Sequence, residues 1–383
     1  MVALRDRLAR HIKAACLVVC MAAATGAARA ASETVLYSFK AGSDGSTPCA
    51  GLIVVGGTLY GTTLYGGGAN NAGTVFAVTM SGAESVIYSF KGGRDGAQPQ
   101  AGLINDGATL YGTTTIGGGS GCHGIGCGTV FAITTAGVET VVHAFRAETG
   151  SFPQSSLIML GGALYGTTLF GGASNDGTVF KLAKTGAKRV LHSFTGGSDG
   201  NYPTAGLMQL GHALYGTTTY GGASDYGTVF SVTMAGAEAV VYSFPGTDGT
   251  FPAASLIDVG GELYGTTSGD INGGYGTVFR VTKAGAWKVV YSFTGGSDGA
   301  RPYADLIYVG GTLYGTTASG GAYGAGTVFS VTTAGTERVL HSFGQGHDGT
   351  APVGDLIDVG GTFYGTTTTG GDYKQGTVFA VTP

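Results

Sequence analysis

The chain has 383 residues, of which 43% are hydrophobic and only 11% charged, with 75 glycines. Charged residues make up about 25% of an average domain, so solubility here rests largely on Thr, Ser, Gly and backbone groups. The acidic balance lacks the dense Lys/Arg surface that nucleic acids and anionic membranes reward, and the apolar content argues against disorder.

Residues 1–30 read as an export signal. Arg5, Arg7, Arg10 and Lys13 open it, "AACLVVCMAAATGAA" follows, and "ARA" at 28–30 supplies the small-x-small pattern for cleavage after Ala30. The apolar run is shorter than the roughly 20 residues of a membrane span, and no later stretch resembles one. Val19 ahead of Cys20 argues against a lipoprotein. Residues 31–383 are then expected to be a single soluble domain, periplasmic or secreted. Taking away Arg5, Arg7, Arg10, Lys13, Arg29 and Asp6 reduces 19 basic and 23 acidic residues to 14 and 22, a net charge of −8.

The next segment, "ETVLYSF" (33–39), is a strand that stands ahead of the first full repeat. From there "GLIVV" (51–55), "TLYGTT" (58–63), "GTVFAVT" (73–79) and "ESVIYSF" (84–90) read as four short strands. Each is rich in Val, Ile, Thr, Tyr and Phe and bounded by turn residues. Gly56-Gly57 suits a tight hairpin, whose turn needs positive φ. The same four runs return along the chain, with the "LYGTT" tyrosine at 60, 111, 165, 215, 264, 314 and 364. A fixed period near 50 residues marks a repeat architecture.

Four-stranded units point to an all-β propeller of seven blades. An open solenoid needs divergent caps, whereas the last repeat here is regular and stops after three strands at Pro383. The missing fourth strand is supplied by residues 33–39, which predicts ring closure by the N-terminal strand. The short turns then lie on one face and the long loops on the other. The one large insertion, in the second repeat, falls on the long-loop face, where repeat proteins bind.

The "LYGTT…GG…GTVF…YSF" pattern resembles the tandem repeat named GloVer, of the Gloeobacter/Verrucomicrobia type, over essentially all of 33–383. The resemblance implies exported bacterial repeat proteins, often with a C-terminal surface anchor. It supplies no catalytic residues and no biochemical role. The chain ends inside a strand with no anchor segment, so release into the periplasm or medium is expected over tethering.

Cys122 and Cys127 sit in "GCHGIGCG". Export permits a local disulfide, and the rival is a metal site with His123 between two thiolates, although no second ligand cluster accompanies it. Cys49 is left over and expected to be buried. The recurrent Asp-Gly of the inter-blade loops (Asp44, Asp95, Asp199, Asp248, Asp298 and Asp348) reads as a turn, since calcium wants more oxygens than one Asp per loop provides. The repeated Tyr and Thr of "LYGTT" read as packing.

Positions that break the repeat carry the functional reading. Tyr65, Phe170 and Tyr220 stand in one long loop, with Tyr226, Tyr275, Tyr323 and Tyr373 further along it, and Phe152, Tyr202, Phe251 and Tyr303 stand in the other. Aromatic platforms beside Asn, Asp and Gly suit sugar rings, and covering of the loops is the bland account. Tyr65, Phe170, Tyr202, Tyr220 and Tyr303 are the candidate ligand-binding residues. Arg301, Asp305, His347 and Asp355 form a weaker catalytic set for acid–base work on a polysaccharide. No nucleophile elbow, zinc-protease motif or phosphate loop occurs, and no cofactor is implied. The leading expectation is a glycan-binding propeller. The alternatives are a polysaccharide lyase or glycosidase and a passive surface or assembly scaffold.

Overall fold

A computed structural model describes residues 31–247, 249–269 and 274–383. The signal expected at 1–30 lies outside them, as does Asp248. Among the described residues, seven four-stranded antiparallel sheets follow one another as the blades of a propeller. The first blade comprises Ile53–Val55, Thr58–Thr63, Thr74–Thr79 and Glu84–Ser89, each paired with the next in chain order. The inner strand is two residues shorter than the run read from sequence, the third and fourth one residue shorter each.

Closure follows the expected route. Ser32–Ser38 pairs antiparallel with Thr377–Thr382 and completes the sheet of Ile357–Val359 and Thr362–Thr367. Within that pair Val35 stands opposite Phe379 and Ser38 opposite Thr377. The last blade then reaches the first, where the Thr366 hydroxyl donates to the Ala50 carbonyl at 2.9 Å.

Each core cluster lies between two consecutive blades rather than inside one. Tyr60, Val75 and Phe90 of the first blade, for example, pack with Leu103, Leu110 and Phe131 of the second. The "YSF" phenylalanine of one blade meets the "GTVF" phenylalanine of the next edge to face at every junction, from Phe90–Phe131 at 5.1 Å to the closing Phe39–Phe76 at 5.0 Å. Such pairs contribute about 0.5–1.5 kcal/mol beyond the area they bury.

The repeated phrases now have physical causes. In "LYGTT", a Cβ on Gly61 would come within 2.6 Å of the Phe76 ring and 2.8 Å of Leu52, so only glycine lets the second strand lie on that ring. The final threonine is buried and shares a 2.8 Å hydrogen bond with the first threonine of "GTVF", as Thr63 does with Thr74. In the Asp-Gly loops, Asp44 accepts the Lys40 N–H at 2.6 Å and the Tyr37 hydroxyl at 2.7 Å. The described aspartates hold their turns by this backbone bond, as expected.

Candidate functional site

Each inter-blade loop passes onto the long-loop face through a residue followed by proline: Thr47, Gln98, Phe152, Tyr202, Phe251, Arg301 and Ala351. All seven have φ between 53° and 59°, the left-handed region that side chains other than glycine rarely enter. Backbone bonds hold them there. The Tyr202 N–H donates to the Asp176 carbonyl of the preceding blade at 3.0 Å, and its carbonyl accepts from Thr219 of its own blade at 3.1 Å. The other six repeat this clasp, for instance Phe152 between Cys127 and Leu169 and Phe251 between Tyr226 and Ser268. The fold thus fixes the backbone and leaves the side chain free to differ from blade to blade.

On three consecutive blades these side chains are aromatic, and they interleave with aromatics of the neighbouring loop. Phe152 and Phe170 lie 5.8 Å apart, Phe170 and Tyr202 5.0 Å, Tyr202 and Tyr220 5.7 Å, and Tyr220 and Phe251 5.0 Å. Tyr226 extends the row from Phe251 at 6.0 Å. The result is a crescent of touching rings on one side of the rim. At its end, Tyr220, Tyr226, Phe251 and Tyr303 line a cavity of about 700 Å³ together with Thr204, Thr219, Ser224, Asp225 and Ser268. Pockets of about 300–1,000 Å³ with an apolar wall and a few polar groups are typical ligand sites.

Phe170, Tyr202 and Tyr220 are therefore brought together in one row, and Tyr303 closes the cavity at its inner end. Tyr65 stands apart on the first blade, where it bridges Ser46 and makes no ring contact of the crescent. The shared left-handed geometry was missed in the sequence reading. A following proline biases its predecessor toward extended backbone, so the sequence argues locally against it.

The second candidate set divides. Asp305 and Asp355 share the axial position just ahead of the inner strands, and residues of all seven blades line a cavity of about 100 Å³ there. The Ser255 N–H donates to Asp305 at 2.5 Å, and the Asp305 N–H to Asp355 at 2.7 Å. Ser156 and Ser255 accept the N–H groups of Gly102 and Gly206 in the same way. Burial pushes both carboxyls up, and the charge of Asp305 adds to the shift of Asp355, which reaches about 8. Arg301 and His347 do not line that cavity. His347 pairs instead with Asp372 at 2.6 Å on the loop face.

Cys122 and Cys127 are joined in a disulfide with Cα atoms 5.3 Å apart, which decides between the two sequence readings. Cys49 is only partly buried and lines the axial cavity, with burial pushing its thiol up to about 11. No described helix is long and apolar enough to cross a membrane.

The Gloeobacter/Verrucomicrobia repeat model matches residues 23–230 and 212–383. The chain belongs to the Gloeobacter/Verrucomicrobia repeat family. No curated protein matches this family member. Among solved structures, this chain is similar to the BP39L lectin from Burkholderia pseudomallei, with a TM-score of 0.58, 13% identity, and coverage of 89% of this chain and 96% of the lectin. It is also similar to a puromycin hydrolase, with a TM-score of 0.55, 13% identity, and coverage of 84% of this chain but only 50% of the hydrolase. The polysaccharide lyase Uly1 gives a TM-score of 0.50 at 11% identity, covering 88% of this chain and 91% of the lyase. At such identities the likeness speaks for the fold alone.

Proposed function

We propose that this propeller is an exported glycan-binding protein, and that Phe170, Tyr202 and Tyr220, with Phe152, Phe251 and Tyr303, form its binding surface. The observation that supports this reading is the unbroken row of rings, confined to one side of a pseudo-sevenfold rim. Rings needed only to cover loops would recur on every blade, yet the corresponding positions elsewhere hold Thr47, Gln98, Arg301 and Ala351. Aromatic faces stack on the apolar side of a pyranose while neighbouring hydroxyl and amide groups meet its rim. The lectin among the structural neighbours is in keeping with this, and the disulfide is in keeping with export. Affinity electrophoresis through gels containing individual polysaccharides tests the reading. Retardation that is lost in Tyr202→Ala and Tyr220→Ala supports it, and equal mobility in every gel overturns it.

A second reading, polysaccharide cleavage, draws on the adjacent Asp305 and Asp355, since Tyr303 lines both their cavity and the crescent's. Release of new reducing or unsaturated ends would distinguish it from simple retention.

A further inference from the structure

Resting on the glycan-binding reading, we infer that the crescent takes a single linear, uncharged glycan chain along several sugar units, with Phe152, Tyr202 and Phe251 as the specificity-determining residues. The rings succeed one another at 5.0–5.8 Å from Phe152 to Phe251, about the length of one sugar unit, across three consecutive blades. Successive rings are turned by 56–88° to one another, so an extended chain along the row meets faces and edges in turn, whereas a terminal sugar reaches only one or two of them. The cavity at the end of the row is lined by the hydroxyls of Thr204, Thr219, Ser224, Ser268 and its tyrosines. Among the described residues no lysine or arginine lines it. Its one charged lining residue among the described residues is Asp225, which accepts the Gly221 N–H at 2.8 Å. Uronate or sulfate groups would meet a carboxylate without a compensating cation, while uncharged hydroxyls meet donors and acceptors.

The left-handed backbone does not itself call for a ring, since Thr47, Gln98, Arg301 and Ala351 adopt it too. A side chain at φ near 55° is strained, and glycine would relieve that strain. The strain is common to all seven clasp residues, so what sets Phe152, Tyr202 and Phe251 apart is the ring itself and its place in the row. The neighbouring clasp bonds run through backbone atoms alone, so replacing the side chain leaves them in place.

Titration calorimetry with neutral linear oligosaccharides from monomer to hexamer, alongside a polyuronate, tests this on the intact protein. A bound neutral series should gain at least tenfold in affinity from dimer to pentamer, and the polyuronate should not bind. Phe152→Gly, Tyr202→Gly and Phe251→Gly should each lose tenfold or more while Tm stays within a few degrees of the parent. Full affinity for a monosaccharide, preference for the polyuronate, or glycine variants that bind normally would overturn the inference and leave glycan binding intact. A failure to bind any sugar, charged or neutral, would overturn the glycan-binding reading itself.

Discussion

The Tyr88 hydroxyl of the first blade lies 3.5 Å from Glu139 Oε2 of the second, and both crowd the Asp95 carboxylate, which accepts that hydroxyl at 2.7 Å. The arrangement recurs around the perimeter. Glu33, Glu84, Glu139, Glu238 and Glu337 face Asp348, Asp44, Asp95, Asp199 and Asp298 of the preceding blade. Each glutamate has a buried Oε1 with no hydrogen-bond partner among the described residues. A proton on the glutamate relieves that like-charge crowding. Two junctions are built differently, with Lys188 donating to the Thr149 carbonyl at 2.6 Å and Trp287 stacked on Tyr242 at 4.4 Å.

These pairs set the pH dependence of stability. Burial, and then the aspartate charge, pushes all five glutamates from 4.5 to about 7. The folded chain therefore binds more protons than the unfolded chain between those values, and stability must fall as pH rises through that window. Asp305 and Asp355 act in the same direction. His143 and His341, lowered chiefly by burial, act in the opposite one. The larger number of raised acids decides the sign. Tm followed by scanning fluorimetry should be higher by a few degrees at pH 5 than at pH 8, and Glu139→Gln should flatten the slope. A Tm that climbs steadily across that range would contradict the protonated pairs.

Closure by the N-terminal strand predicts equal costs at the closing and internal junctions. Phe39 and Phe90 are both fully or almost fully buried and meet their partner rings at 5.0 and 5.1 Å. Removing a buried phenylalanine costs about 3–5 kcal/mol, so Phe39→Ala and Phe90→Ala should agree within about 1 kcal/mol in urea denaturation. A Phe39→Ala change that costs almost nothing would mean that the ring stays folded without its closing strand.

The glycine of "LYGTT" predicts an overpacking effect. A methyl group on Gly61 would meet the Phe76 ring at 2.6 Å, against the fully buried center of the first blade. Gly61→Ala should lose about 1–3 kcal/mol, read from the shift in denaturation midpoint. Stability equal to the parent would show that the Phe76 ring yields without strain.

The blades were legible because strand composition, glycine turns and period all point the same way, from "TLYGTT" at 58 to "TVFAV" at 377. Closure was legible because residues 33–39 repeat the outer strand that the last repeat lacks. The crescent was only half legible. Phe170 and Tyr202 stand 32 positions apart in sequence, and only the left-handed turn before Pro203 brings their rings to 5.0 Å. Proline restricts its predecessor toward extended conformations, so nothing local announces φ near 55°. The charged set failed to converge for a related reason. Asp305 and Asp355 occupy the axial register, whereas Arg301 belongs to the clasp position and His347 to a loop that turns toward Asp372. The perimeter acid pairs were not read from the sequence, because like charges are not expected to face each other.

The disulfide predicts a link between the second blade and the crescent. Cys127 is buried, and its carbonyl accepts the Phe152 N–H at 2.8 Å, the clasp that holds the first ring of the row. The loop it closes spans a sequence separation of 5, for which chain entropy gives a stabilisation of about 2 kcal/mol. Cys122→Ser with Cys127→Ser should lower the denaturation free energy by about that amount and leave the remaining blades folded. The Phe152 amide should then exchange with deuterium faster than in the parent, while the Tyr202 amide, held by Asp176 on another blade, should keep its protection. Equal protection at Phe152 in the two proteins would mean that the clasp is set by the blade and not by the disulfide loop.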